Sequence, residues 1–115
     1  MLRKLFFSLI FSLFLFSCSS VANLRTADNP DLTISRTNSA DVKVYSTAMI
    51  GKDFKIIGQV VASADAGTDS EKAVNHLKEE AAKLGADAII NLRLEIDSGY
   101  WQNAIKATGV AVKYN

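Results

Sequence analysis

Five of the six phenylalanines in this 115-residue chain lie within residues 6–16, and only Phe54 is left for everything that follows. That asymmetry restricts the fold more than any motif does. The stretch from Leu5 to Phe16 is apolar apart from serines, follows Arg3 and Lys4, and is too short to span a bilayer comfortably. It has the basic start and oily centre of an export leader, so residues 1–17 are read as a leader that is removed. The part that folds must then build its core mainly from Val, Ile, Leu and Ala.

The chain's one cysteine, Cys18, stands where the oily run ends. A single thiol makes no internal disulfide and lacks the partners of a zinc site. Leu15-Phe16-Ser17-Cys18 resembles the lipobox of bacterial lipoproteins, in which the thiol accepts diacylglycerol and a small residue precedes the cut. Leu15 and Ser17 match that pattern; Phe16 stands where a small or hydroxyl residue is usual. The resemblance implies that Cys18 carries acyl chains of the palmitate kind, each buried methylene adding roughly 0.8 kcal/mol of membrane affinity. Ser19 occupies the position where lipoproteins kept at the inner membrane often carry Asp. The implied location is therefore the bacterial cell envelope, lipid-anchored, with the outer membrane favoured.

Without residues 1–17 the chain keeps 11 basic residues against 12 acidic ones. No basic field is available to hold nucleic acid. Residues 18–40 are polar, contain the single proline, Pro30, and show no sustained period, so they read as the lipidated cysteine and a flexible tether. Residues 41–115 are left for one small domain, a size at which a single core is marginal without help. With no staple, self-association is the remaining common device.

Within that domain, Val42, Val44 and Tyr45 suggest a strand running towards Ile50, and Gly51-Lys52-Asp53 a turn. Phe54 to Ala62 reads as a second strand, with Phe54, Ile56, Gly58, Val60 and Ala62 on its core face. Gly58 marks a bulge or a close backbone approach. Thr68-Asp69-Ser70-Glu71 matches a capping box, Val74, Leu77, Ala81 and Leu84 recur at helical spacing, and Gly85 suits a left-handed cap. Ala88, Ile90, Leu92, Leu94 and Ile96 alternate along a half-buried strand, Ser98 to Asn103 forms a turn, and Ala104 to Tyr114 forms a last strand. Carrying only Lys106 and Lys113 as charges, that last strand reads as an edge weakly defended against pairing. The expected fold is α+β: a small antiparallel sheet in the order β-β-α-β-β, with one helix on a face.

The phrases Phe54-Lys55-Ile56-Ile57-Gly58-Gln59-Val60, Leu84-Gly85-Ala86-Asp87-Ala88-Ile89-Ile90-Asn91 and Ala107-Thr108-Gly109-Val110-Ala111-Val112 are similar to the YbjQ-like family, also called heavy-metal-binding-domain-like. The closing stretch also resembles the Rcs stress-sensing outer-membrane lipoprotein of enteric bacteria. The resemblance covers roughly residues 41–114 and implies a dodecin-subunit-like fold that assembles as a pentamer. The stress sensor is stapled by disulfides that this chain cannot form internally. The heavy-metal label finds one His, one cysteine assigned to lipid and no CxxC, so no metal and no cofactor are expected.

His76 lies off the Val74–Leu77 stripe and reads as solvent-facing. Glu79 and Glu80, being adjacent on a helix, point about 100° apart and read as a solvated face rather than an acid/base pair. No GxSxG or other nucleophile frame occurs, and no enzyme is expected. Tyr100 and Trp101, together in the Ser98–Asn103 turn, are the candidate partner-binding residues; they either anchor a partner or fold back over the sparse core. The leading reading is a non-enzymatic envelope lipoprotein that binds or senses another envelope component, held to the membrane by Cys18. The alternative is a structural homo-oligomer, pentamer-like, with no separate ligand.

Overall fold

The computed structural model describes residues 19–28, 34–65, 69–98 and 103–115. Five strands, β1 (Ser19–Arg25), β2 (Lys43–Val44), β3 (Phe54–Ala64), β4 (Ala88–Ser98) and β5 (Asn103–Tyr114), form one sheet in the order β1-β3-β5-β4-β2. Among the described residues one α-helix, α1 (Ser70–Leu84), connects β3 to β4 and packs on one face. The α+β class is as expected, but the sheet is mixed rather than purely antiparallel, because β2 runs parallel to β4. An additional strand, β1, stands at the head of the order.

β5 lies at the centre, antiparallel to β3 on one side and to β4 on the other. The last strand is therefore not an edge. Its alternation is unbroken: Ile105, Ala107 and Ala111 join the core under the helix, while Val110 and Val112 face the other way. The small residues on the helix side let α1 come close, so that Ala73, Leu77 and Ala81 are fully buried against them. At Gly109 a Cβ would stand 2.3 Å from Ile89 Cγ2.

The strands flanking β5 each carry one extra residue, and each extra residue reverses the faces beyond it. In β3 the register shifts between Ile56 and Gly58. Gly58 thus marks a bulge, as its position in a strand suggested. Ile57, Val60 and Ala62 face the helix, whereas Phe54 and Ile56 face away, contrary to a single apolar face running from Phe54 to Ala62. In β4 the shift falls between Ile90 and Arg93, around Asn91, whose φ of 53° is left-handed. Ile89 and Leu92 pack with the helix, and Ala88 and Ile90 with the opposite face. A second small core results, in which Tyr45, Ile50, Phe54, Ile56, Val110 and Tyr114 surround Ala88, Ile90 and Val112. The expected strand from Val42 to Ile50 shrinks to Lys43–Val44 for the same reason: after Val44 the chain turns onto the far face to cover that cluster.

Residues 19–40 contain more than a tether. β1 pairs along its whole length with β3, from Ser19 opposite Ala64 to Arg25 opposite Gly58. Its polar side chains are matched by α1 rather than by water: Asn23 donates to Glu80, and Arg25 donates to the Leu84 carbonyl at 3.0 Å. Thr37 adds two bonds at the same helix end, from its N–H to Ala82 O and from its hydroxyl to Ala86 O. A helix C-terminus leaves carbonyls without intrahelical partners, and the residues read as a tether supply them. Gly85 ends α1 in the left-handed conformation, φ 87°, as expected. At the other end the described N-cap is Asp69, which makes no side-chain cap bond, and Thr68 of the expected capping box lies outside the described residues.

At Gly58 a Cβ would meet the backbone oxygen of Leu24 at 2.4 Å and Leu84 Cδ1 at 2.7 Å. Backbone on β1 cannot rotate out of the way as a side chain would. Gly58→Ala should therefore push β1 off the sheet, lowering stability by about 1–3 kcal/mol. Hydrogen exchange should show β1 amides losing protection while β4 and β5 keep theirs.

Candidate functional site

The candidate residues from the sequence, Cys18 and the Tyr100–Trp101 pair, lie outside the described residues. Their chain neighbours are described, and the sheet gathers them. Ser19 pairs with Ala64, Ala64 with Ile105, and Ile105 with Ile96, one row across four strands. Two residues further on, Ser98 pairs with Asn103, closing the β4 and β5 ends that flank residues 99–102. The residue after Cys18 and both ends of the aromatic turn thus share one end of the sheet. Reading residues 19–40 as a tether conceals this, since a tether sets no distance between the two. Leu94 and Ile96 project from β4 at that end, 49 % and 73 % exposed.

The opposite end is polar. Asp87 accepts a hydrogen bond from Tyr114 N at 2.9 Å and faces Lys113 Nζ at 3.5 Å. Lys52 Nζ sits 4.4 Å from the Tyr114 ring centroid, a cation–π contact. Burial, then the neighbouring Tyr45 hydroxyl and Asp87 carboxylate, push the Tyr114 phenol up to about 12, so it stays neutral and cannot serve as a base. His76 approaches Glu79 at 3.8 Å on the outer side of α1. Among the described residues, no three His, Cys, Asp or Glu side chains converge as a metal centre would need. Thr26 Oγ1 donates to Asp28 Oδ2 at 2.5 Å, at an exposed position.

On the face of the sheet away from α1, Ala22, Leu24, Gln59, Val61 and Thr108 line a shallow groove of about 230 Å³. It is mainly apolar, with Gln59 and Thr108 as polar points, and holds no charged side chain.

Glu80 departs from its expected place. Rather than joining a solvated face with Glu79, it is 2 % exposed and wedged between α1 and β1. Asn23 Nδ2 donates to Oε2 at 2.6 Å, and Lys83 Nζ reaches Oε1 at 2.7 Å. Burial raises its pKa, but the bonds from Lys83 and Asn23 and the charges of Lys83 and Arg36 outweigh this and hold the carboxyl below its ordinary value. The sequence signal was faint: only the helical position of Glu80, one residue before Ala81 of the buried stripe, could have flagged it. With its folded pKa lowered, Glu80 contributes stability that is present above the ordinary carboxylate range and lost as pH falls through the lower folded value. Glu80→Gln should reduce stability at pH 7 by about 1–2 kcal/mol. In denaturant unfolding across pH 7 to 3, the variant's deficit should shrink towards the acid end.

No curated protein matches the chain in sequence. In structure it is similar to a crystal structure of the Francisella virulence factor FvfA, with a TM-score of 0.60 and 19 % identity, covering 82 % of this chain and 97 % of that one. At that identity the likeness speaks for the fold. The model of the YbjQ_1 family, described as "Putative heavy-metal-binding", matches residues 44–115, well over half of the sequence and all of the domain from β3 onward. That family is described by binding and not by a reaction; the chain belongs to the YbjQ_1 family.

Proposed function

We propose that the protein is a non-enzymatic binding module of a bacterial envelope, anchored by an acylated Cys18 and engaging another envelope component through Tyr100 and Trp101. The observation that carries this reading is the shared sheet end. β1 begins at Ser19, immediately after the proposed anchor, and the row through Ala64, Ile105 and Ile96 leads directly to the strand ends that flank residues 99–102. A domain joined to lipid without slack holds that end beside the bilayer surface. A partner met there would be one that also lies at the membrane, which a long tether would not enforce. The exposed Leu94 and Ile96 add apolar surface at the same place. Ser19 after the cysteine supports the outer membrane as the site.

Cys18→Ser should abolish incorporation of labelled palmitate and leave a longer, unprocessed chain by mass. Unchanged mass and unchanged membrane partition would remove the lipoprotein reading. With the anchor intact, a photo-cross-linking residue at Trp101 should capture a discrete envelope component, and one at Lys78 on α1 should not.

The family's description invites a metal, but the donors of the described residues do not fit one. Asp87 is engaged by Tyr114 N and Lys113, and Glu80 by Asn23 and Lys83. Among the described residues, the one carboxylate within ion-pair reach of His76 is Glu79, at 3.8 Å. Soft ions select thiolate and imidazole clusters, and no such cluster forms here among the described residues. Calorimetric titration of the full chain with zinc or copper should show no stoichiometric sub-micromolar site.

A further inference from the structure

Among the described residues, the outer edge of the sheet beyond β2 is open. β2 covers only Ala88 and Ile89 of β4, and the last outward bond is Leu92 N to Tyr45 O at 3.1 Å. From Arg93 to Ser98, β4 has β5 on one side and no strand on the other among the described residues. All six residues are exposed. Because the Leu92 amide points outward, alternation aims the N–H and C=O groups of Leu94, Ile96 and Ser98 outward as well. Side chains alternate too: Leu94 and Ile96, opposite the core residues Ala107 and Ile105, lie on the helix side, and Arg93, Glu95 and Asp97 on the other.

The edge is charged in a pattern that complements its own reversal. Counting outward from Glu95, Leu94 and Ile96 stand one step away on either side, then Arg93 and Asp97 two steps away. Neither Arg93 nor Asp97 has an ion-pair partner among the described residues. We infer that the Arg93–Ser98 edge of β4 pairs antiparallel with the same edge of a second copy, about a two-fold axis through Glu95.

In that register Arg93 of each copy faces Asp97 of the other, twice, and Leu94 faces Ile96, twice. Opposite charges and apolar pairs directly across a ladder both stabilise it. Leu94 and Ile96 exchange their outward backbone bonds, four in all, and their side chains form one apolar patch beside the helices. The neighbouring registers fail. Centring on Leu94 needs the Leu92 N–H, which Tyr45 already holds. Centring on Ile96 sets Glu95 against Asp97 twice, like charge on like. The chosen register brings two Glu95 side chains together on the axis, but Lys106 lies 3.9 Å from each within its own copy and offsets the repulsion. So short a ladder is well below the size of a standard stable interface, which makes this a weak, reversible dimer. The inference depends neither on the lipid anchor nor on a partner at Trp101.

The test uses disulfide trapping in the full chain, with native Cys18 kept so that the parent reports any background. Glu95→Cys places two thiols across the axis and should give a covalent dimer under mild oxidation. Arg93→Cys should give none with itself, since its two copies would stand roughly 13 Å apart along the strands. Co-expressed Arg93→Cys and Asp97→Cys chains should cross-link to each other. Adding Arg93→Asp to Glu95→Cys should weaken association about tenfold by turning both ion pairs into like-charge pairs. Adding Asp97→Arg to that double variant should restore it. A folded Glu95→Cys chain that stays monomeric overturns the proposal, as does equal self-cross-linking of Arg93→Cys, or a charge reversal without effect. A foreign peptide or a lipid surface on this edge would yield one of those results.

Discussion

The contact between α1 and the small residues of β5 decides what this domain can be. With Phe54 as the one phenylalanine after Phe16, bulk cannot fill the space between helix and sheet. Proximity does so instead. Ala107, Gly109 and Ala111 form a low floor, and Ala73, Leu77 and Ala81 settle onto it with no measurable exposure. Dispersion falls steeply with separation, so layers in close contact recover with many short contacts what large side chains would otherwise supply. Ten of the nineteen buried apolar residues among those described are alanines. Such a core tolerates little enlargement: a methyl group at Gly109 already strikes Ile89.

Holding β5 under the helix forces the flanking strands to do two jobs. Each meets the helix along part of its length and covers the far face along the rest, and the extra residue in each makes the change. Asn91 can adopt the left-handed backbone that its bulge needs, a conformation asparagine tolerates better than most residues do. Gly58 admits the Leu24 carbonyl beside its own bulge. Two thin cores on opposite faces, rather than one thick core, follow from these insertions.

Local chemistry was legible in the sequence wherever it acts within a few residues. The helix from its Val74–Leu84 stripe, its Gly85 stop, the turn at Gly51 and the existence of the long strands could all be read directly. Interactions between distant segments could not. Alternation along Ala88 to Ile96 suggests one continuous face, and only pairing with β5 reveals that Asn91 divides it. Ser19–Arg25 shows no strong period because its polar residues are satisfied by α1, some sixty positions away, rather than by solvent. Glu80 reads as a surface acid for the same reason. The site fared alike: single residues such as Cys18 and Trp101 stand out in a sequence, whereas the order of charges on an open edge has meaning only once the strand's neighbours are known.

The placement of β5 also governs when the fold can exist. It follows the other described elements in the chain, yet it is the strand that joins β3 to β4. Until it emerges, β1 has β3, β4 has only the two residues of β2, and α1 has half a floor. A nascent chain therefore cannot lock into its final shape until β5 has emerged, and its main non-local contacts form together at that point. For a chain exported as proposed above, this delay is useful. A translocation channel admits extended chain, and a sheet whose keystone follows its neighbours keeps those preceding strands threadable until β5 has been made.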